Sequence, residues 1–460
     1  MHPFTPSDRK CLSRRQLLQV GSISMLGLDL PQLLHASAST KSGQRGSEKS
    51  CIFISMYGGP SQLDTWDLKP HAPTEIRGPF KPIATATPGM QICELMPQLA
   101  RLSNRLSVVR SMTHRQADHT KANSMMLCGQ SNPSSDAPSF GAVMAKLRPA
   151  QQNIPSYVWL QKFGGGAMPP DASYLSGGFL GAAYGPMAIG TKDHTEDPSA
   201  PGFRVRVFDS PGDIPSDRVQ VRQQLLEHLE PAQQRTPGAN FRRMQERAFD
   251  LVTGPQARQA FDLNQEPARI RQRYGMHPLG QNLLMARRLV EAGVRLVGVV
   301  AWTGLKPGEK FFSVETWDMH GVGGPIFGDN WNGLGFALPR FDQATAALLT
   351  DLEERGLLDN TLVVAVGEFG RTPKIDGNGK GRDHWPYCFP ALLAGAGIRG
   401  GMVYGASDKI AAYPRDNPVS PEDFGATLFQ ALGVAPETRL GLDGFTRPAS
   451  TGTAIAELIG

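Results

Sequence analysis

The stretch Thr361-Leu-Val-Val-Ala-Val-Gly-Glu368-Phe-Gly-Arg371-Thr-Pro373 decides how this chain folds. Its opening run is apolar and β-branched with no polar alternation, as a strand buried on both faces requires, and it ends directly on a glycine, a carboxylate and an arginine. A Gly-rich loop then presents Gly381-Arg382-Asp383-His384-Trp385-Pro386 before the next apolar run. The same pattern recurs outward from this block. Cys51–Tyr57 stops at Gly58-Gly59-Pro60, Leu106–Arg110 leads into Thr113–Thr120, and Ser156–Leu160, Val294–Val300 and Ala391–Ala394 read as further short strands. Apolar residues at helical spacing predict helices at Met96–Leu102, Phe140–Lys146, Gly280–Ala292, Leu338–Arg355 and Pro421–Leu432, the last with Ser420 as N-cap and Pro421 at the first helical position. Strands alternating with helices predict an α/β fold with a mostly parallel central sheet and helices on both faces. Residues from about 200 to 264 are dominated by Arg, Gln and Glu and predict a helical insertion whose charges form a solvated face.

The chain has 460 residues, 40% hydrophobic and 19% charged, which is ample for one large core. Of the formal charge of +5, Arg9, Lys10, Arg14 and Arg15 against Asp8 and Asp29 place +2 in the first forty residues and leave +3 behind, too small a surplus to imply a nucleic-acid partner. Ser13-Arg14-Arg15-Gln16-Leu17-Leu18, an apolar stretch to about Leu34 and the small residues Ala36-Ser37-Ala38 resemble a twin-arginine export signal with its cleavage site. The expected organisation is a signal peptide at 1–38, a flexible lead-in at 39–50 and a single domain at 51–460. The expected location is periplasmic or extracellular, with the twin-arginine machinery as a partner and no transmembrane segment in the mature chain. Cys51, Cys93, Cys128 and Cys388 show no metal-binding spacing and read as buried free thiols, which suits a protein folded before export.

In open parallel sheets the reactive groups collect on loops at the carboxyl ends of strands. There the first strand offers Gly58-Gly59-Pro60-Ser61-Gln62-Leu63-Asp64-Thr65-Trp66-Asp67, and the second offers Thr113-His114-Arg115-Gln116-Ala117-Asp118-His119-Thr120. Trp317-Asp318-Met319-His320-Gly321 sets a carboxylate and an imidazole two apart, on one face of an extended segment. Together with Glu368 and His384 these carboxylates and imidazoles form a borderline-hard donor set, suited to zinc first and to manganese or magnesium next.

The order of these motifs resembles a bacterial family known as domain of unknown function 1501, placed with the alkaline-phosphatase and sulfatase superfamily. The resemblance rests on the leader, the Gly58–Asp67 turn, Ala286-Arg-Arg-Leu-Val-Glu-Ala-Gly-Val294, Trp317–Gly321, Gly367–Pro373 and Gly381–Pro386, and so spans most of the mature chain. It implies an alkaline-phosphatase-like α/β domain holding a divalent metal. Asp64 would be the aspartate after the first strand, Asp318 and His320 the ligand pair of one metal, and His384 the late histidine that completes it. Glu368 stands where the superfamily has an Asp-His pair, with Phe369 in place of the histidine. Counting back from Leu127-Cys128-Gly129, which resembles the end of the superfamily's nucleophile helix, lands near His119 and Thr120. Thr120 is then either a nucleophile or a helix cap. Arg371 and Arg382 would stabilise anionic oxygens. The Cys-x-Pro-Arg or Ser-x-Pro-Arg pattern needed for formylglycine is absent, which argues against formylglycine-dependent sulfate-ester hydrolysis. The expected function is an exported metal-dependent hydrolase of a phosphate or related ester, borne by a small molecule or a polymer. The alternative is a non-catalytic secreted or envelope-associated binding protein that keeps the fold.

Overall fold

The computed structural model describes residues 49–460 apart from 151–153, 162–174, 191–196, 206–207, 209–254, 306–308, 310–316, 322–323, 331–332 and 442–446. The expected signal peptide, the lead-in up to residue 48 and most of the expected insertion lie outside the described residues.

Eight strands build the central sheet: β1 (Ser50–Ser55), β2 (Leu106–Met112), β3 (Tyr157–Leu160), β4 (Met187–Ile189), β5 (Leu296–Val300), β6 (Thr361–Val366), β7 (Phe389–Ala394) and β8 (Met402–Tyr404). They lie in the order β8-β2-β7-β6-β1-β5-β3-β4, and within this sheet only β7 runs antiparallel to its neighbours. The α/β class and the mostly parallel sheet are as the sequence predicts. Its central strands are buried on both faces because the pleat sends successive side chains in opposite directions. In β1, Ile52 and Ile54 enter one core while Cys51 and Phe53 enter the other.

The main helices are α1 (Pro97–Arg101), α2 (His119–Cys128), α3 (Phe140–Leu147), α4 (Pro255–Phe261), α5 (Ala268–Tyr274), α6 (Pro278–Glu291), α7 (Leu334–Glu354) and α8 (Pro421–Ala431). Helices α6 and α7 cover the Ile52 face, and α3 and α8 the Phe53 face. Ser420 caps α8 by accepting from the Asp423 amide at 3.1 Å, with Pro421 following it. Cys51, Cys93, Cys128 and Cys388 are all buried and free. Among the described residues no helix is long and apolar enough to cross a membrane.

On the Ile52 face a buried ion network ties α5, α6 and α7 together. Arg287 lies 2.8 Å from Glu266, 2.6 Å from Glu291 and 2.9 Å from Asp351, and the Tyr274 hydroxyl donates to Asp351 at 2.9 Å. Burial alone would raise the pKa values of Glu266 and Asp351. The neighbouring guanidinium groups outweigh it and hold both carboxyls below their ordinary values of 4.5 and 3.8. A depressed folded-state pKa contributes stability that is complete above the unfolded value and is lost as pH falls through the folded one. The urea midpoint should therefore decline as pH is lowered through 4.5 and 3.8, and in Asp351→Asn the decline should be shallower.

Candidate metal and ester site

Ser55 pairs with Val300 on one side and Val366 on the other, so β1, β5 and β6 end together and deliver their loops to one edge of the sheet. At that edge the Gly58 amide donates to both Glu368 carboxylate oxygens, at 2.9 and 3.1 Å. The turn needs glycine there, because Gly58 has φ +118° and a Cβ would come within 2.6 Å of the Trp317–Asp318 backbone. Gly58→Ala is expected to lower stability by about 3 kcal/mol, through strain and collision together. A urea titration checks this.

Glu368, fully buried, anchors two histidines. His119, the first residue of α2, places Nδ1 2.5 Å from Glu368 Oε1, and His114 Nε2 donates to the Glu368 carbonyl at 2.6 Å. His114 Nδ1 accepts from the Gln116 amide at 3.0 Å, so both of its nitrogens are used and burial pushes its pKa down. Nearby, His320 Nδ1 makes a short contact with Asp318 Oδ1, and the His320 amide donates to the same oxygen at 3.1 Å. Burial would raise the Asp318 pKa, but the His320 hydrogen bond and the Arg371 charge outweigh it and hold the carboxyl at about 2. Arg371 also lies 3.4 Å from His320 Nδ1. A guanidinium cannot accept, and the carboxylate contact is the closer one, so that nitrogen carries its proton toward Asp318.

The fourth imidazole is His384, whose Nδ1 donates to the Ala117 carbonyl at 2.6 Å. Its ring centroid lies 4.4 Å from that of His119, 4.5 Å from that of His320 and 4.5 Å from that of Phe369. Burial, then the Arg371 charge, lowers its pKa to about 4, so it is neutral at neutral pH. Among the described residues the buried His384 Nε2 has no hydrogen-bond partner. In His119, His320 and His384, unlike His114, Nδ1 is turned to an oxygen acceptor, the arrangement that leaves Nε2 as the basic nitrogen and fixes ligating histidines in place. In kind, this donor set fits a divalent ion. Among the described residues no three His, Cys, Asp or Glu side chains already close around a common point, so the rings would have to adjust to take one.

The structure brings together His119, Asp318, His320, Glu368 and His384, with Arg371 behind them. It does not bring in Asp64. Both Asp64 oxygens face Arg382, at 2.8 and 3.4 Å, and both residues are completely buried. Arg382 gives its other donors to the carbonyls of Thr372, Pro373 and Ile76. Arg371 is equally buried and donates to the carbonyls of Gly58, Gly59 and Arg382 and to Asp318. As placed, these guanidiniums hold the loops rather than an external anion. Thr120 is half-buried in the first turn of α2 and is not its cap. That role falls to Asp118, whose carboxylate accepts from the Lys121 amide at 3.0 Å. The sequence reading missed Gly58 as a carboxylate holder and Phe369 as the ring stacked beside His119 and His384. A glycine after a strand and a phenylalanine beside a glutamate were the only local signals.

Several solved structures show a distant similarity to this chain. A sulfatase, PsFucS1 from Pseudoalteromonas sp., is 14% identical, with 94% of this chain and 76% of that chain covered and a TM-score of 0.39. A protein in the alkaline phosphatase superfamily from Vibrio parahaemolyticus is 12% identical, covering 85% and 67%, with a TM-score of 0.36. The phosphonate monoester hydrolase SpPMH from Silicibacter pomeroyi is also 12% identical, covering 79% and 71%, with a TM-score of 0.32. No curated protein matches the sequence. The family model described as "Protein of unknown function (DUF1501)" matches residues 48–459, so the chain belongs to that family.

Proposed function

We propose that this protein is an exported, metal-dependent hydrolase of a phosphate or related ester, with His119, His320 and His384 holding the ion through Nε2. Asp318 and Glu368 act one step out, as acceptors for the Nδ1 protons, rather than as ligands. The observation that carries this reading is the packing of the His119 and His320 rings against His384, each of the three with Nδ1 tied to an oxygen and His384 Nε2 buried without a partner among the described residues. Zinc suits three imidazole ligands best, with manganese or magnesium as the other choices. Such an ion, when bound, polarises the ester oxygen and activates the attacking group.

The protein's own residues supply position. Glu368, held by the Gly58 amide, aims the His119 ring; Arg371 clamps the Gly58-Gly59 turn against Asp318; Phe369 keeps water from one side of the His119 and His384 rings. Thr120, next to His119 and half-buried, is the hydroxyl we assign as the attacking group. Metal analysis by mass spectrometry on protein purified from its native compartment tests this directly, beside turnover of an aryl phosphate, a phosphodiester and a phosphonate ester. About one divalent ion per chain and hydrolysis of at least one ester are the expected results. A metal-free protein inert on all three esters would instead favour the non-catalytic binding role.

The export part of the proposal rests on Arg14-Arg15 and the small residues at Ala36-Ser37-Ala38. Changing Arg14 and Arg15 to Lys is expected to leave a folded, uncleaved precursor in the cytoplasm, detected by fractionation and intact mass.

A further inference from the structure

Beside the histidine site lies an open cleft of about 920 Å³, lined among others by Arg115, Gln116, Asn132, Tyr387 and Tyr413. It adjoins the site through His114, which lines the cleft and also donates to the Glu368 carbonyl. Its size is toward the upper end for ligand pockets, roomy for a single small ester. Two of its lining residues are large aromatics left open to solvent, Tyr387 at 36% and Tyr413 at 51% relative exposure. Scattered exposed aromatics need no explanation, but these two stand 5.6 Å apart between ring centroids. Trp385 packs edge-on against both, at 5.0 and 5.6 Å.

This platform is rigid. Trp385 Nε1 donates to the Ala412 carbonyl at 2.6 Å. The Asp408 carboxylate accepts from the amides of Ile410, Ala412 and Tyr413 at 3.0, 2.9 and 3.2 Å, fixing the turn that carries Tyr413. Buried Gln62 donates to the Ala411 carbonyl at 3.0 Å and ties that turn to the loop after β1. The exposed Arg115 and Asn132 and the half-buried Gln116 line the same cleft. Among the described residues Arg115 makes no ion pair.

Aromatic faces held open beside planar amides and one guanidinium match the chemistry of a sugar ring, which has a C–H face to stack and hydroxyls to hydrogen-bond. A free guanidinium adds a partner for an anionic substituent. A nucleic acid would ask for a row of cations, and among the described lining residues Arg115 is the only arginine or lysine. We infer that this cleft binds a segment of an acidic polysaccharide, with sugar rings on Tyr387 and Tyr413, its charged group on Arg115, and the chain running past His114 to the histidine site. The inference deepens the hydrolase reading by naming the substrate as a polymer-borne ester, and it rests on that reading for the reaction alone.

The test is calorimetric titration of the mature protein with three hexasaccharides, one sulfated glycosaminoglycan, one polygalacturonate and one neutral maltohexaose, at about 0.3 M NaCl to screen non-specific attraction. At least one of the anionic probes should bind, and more tightly than the neutral one. Tyr387→Ala combined with Tyr413→Ala should weaken that binding at least about tenfold, and the two Phe variants should restore it. Arg115→Ala should weaken only the anionic probe and reduce its salt dependence. Turnover of an aryl phosphate should be unchanged in all of these variants. The inference is overturned if no hexasaccharide binds, if the double Ala variant binds as the unmodified protein does, or if oligothymidylate binds as well and is lost in the same variants. Saccharide binding without any ester turnover would sink the hydrolase reading and leave the cleft standing. Ester turnover without saccharide binding would do the reverse.

Discussion

Replacing Arg382 by Met is expected to destabilise the protein by about 3–5 kcal/mol, because it strands the Asp64 carboxylate in the interior with no opposite charge. Both partners are fully buried and 318 residues apart in sequence, so the pair joins the loop after β1 to the loop before β7 and water can replace neither member. The expected signature is a large fall in the urea midpoint with an unchanged slope. Adding Asp64→Leu to Arg382→Met should recover most of the loss, since removing both charges leaves nothing unpaired. The same double variant separates two roles for Asp64. If it keeps its metal, the aspartate is a structural partner. If it loses the metal while remaining folded, Asp64 is a ligand and the ion pair opens on binding.

His384→Ala should have the opposite profile, with metal content falling to background, ester turnover falling at least about a hundredfold, and stability of the metal-free protein falling by only about 1 kcal/mol. The ring is partly exposed, and among the described residues its one hydrogen bond is to the Ala117 carbonyl. Glu368→Gln should behave differently again. If the carboxylate only orients His119, metal affinity should fall by about 10–100-fold instead of vanishing, because the imidazole remains and only its alignment suffers. Measuring metal dissociation for these two variants side by side tests the division between ligands and their supports. Complete metal loss in Glu368→Gln would make the glutamate a ligand.

The sheet was largely legible in the sequence because strands buried on both faces leave an uninterrupted apolar signature. Thr361–Val366 occupies the stretch that its apolar run marks out. The edge strands Met187–Ile189 and Met402–Tyr404 escaped because they are three residues long and only partly buried, so they need little apolar content. The reversed direction of β7 was also unreadable, since an apolar run reads the same whichever way it is threaded. At the candidate site, the rule that strand ends share an edge led to expecting Asp64, Asp318, His320, Glu368 and His384 together, whereas His119 came from the resemblance of Leu127-Cys128-Gly129. What did not follow was which groups neutralise one another. Nothing near Asp64 or Arg382 in sequence marks them as partners, and Asp118 outcompetes Thr120 for the helix cap through a contact visible only in three dimensions.

Strand β1 sits between β5 and β6, yet it leaves the ribosome long before either. Throughout most of synthesis its Cys-Ile-Phe-Ile run is a sticky segment with no sheet to join. Every hydrogen bond from Gly58 to Glu368 likewise spans 310 residues. Nascent chains that stop short of Thr361 therefore own neither a finished core nor a histidine cluster, and loop closure over such distances makes productive folding slow. A protein wired this way can finish its sheet and bring its histidines together only once translation has passed His384.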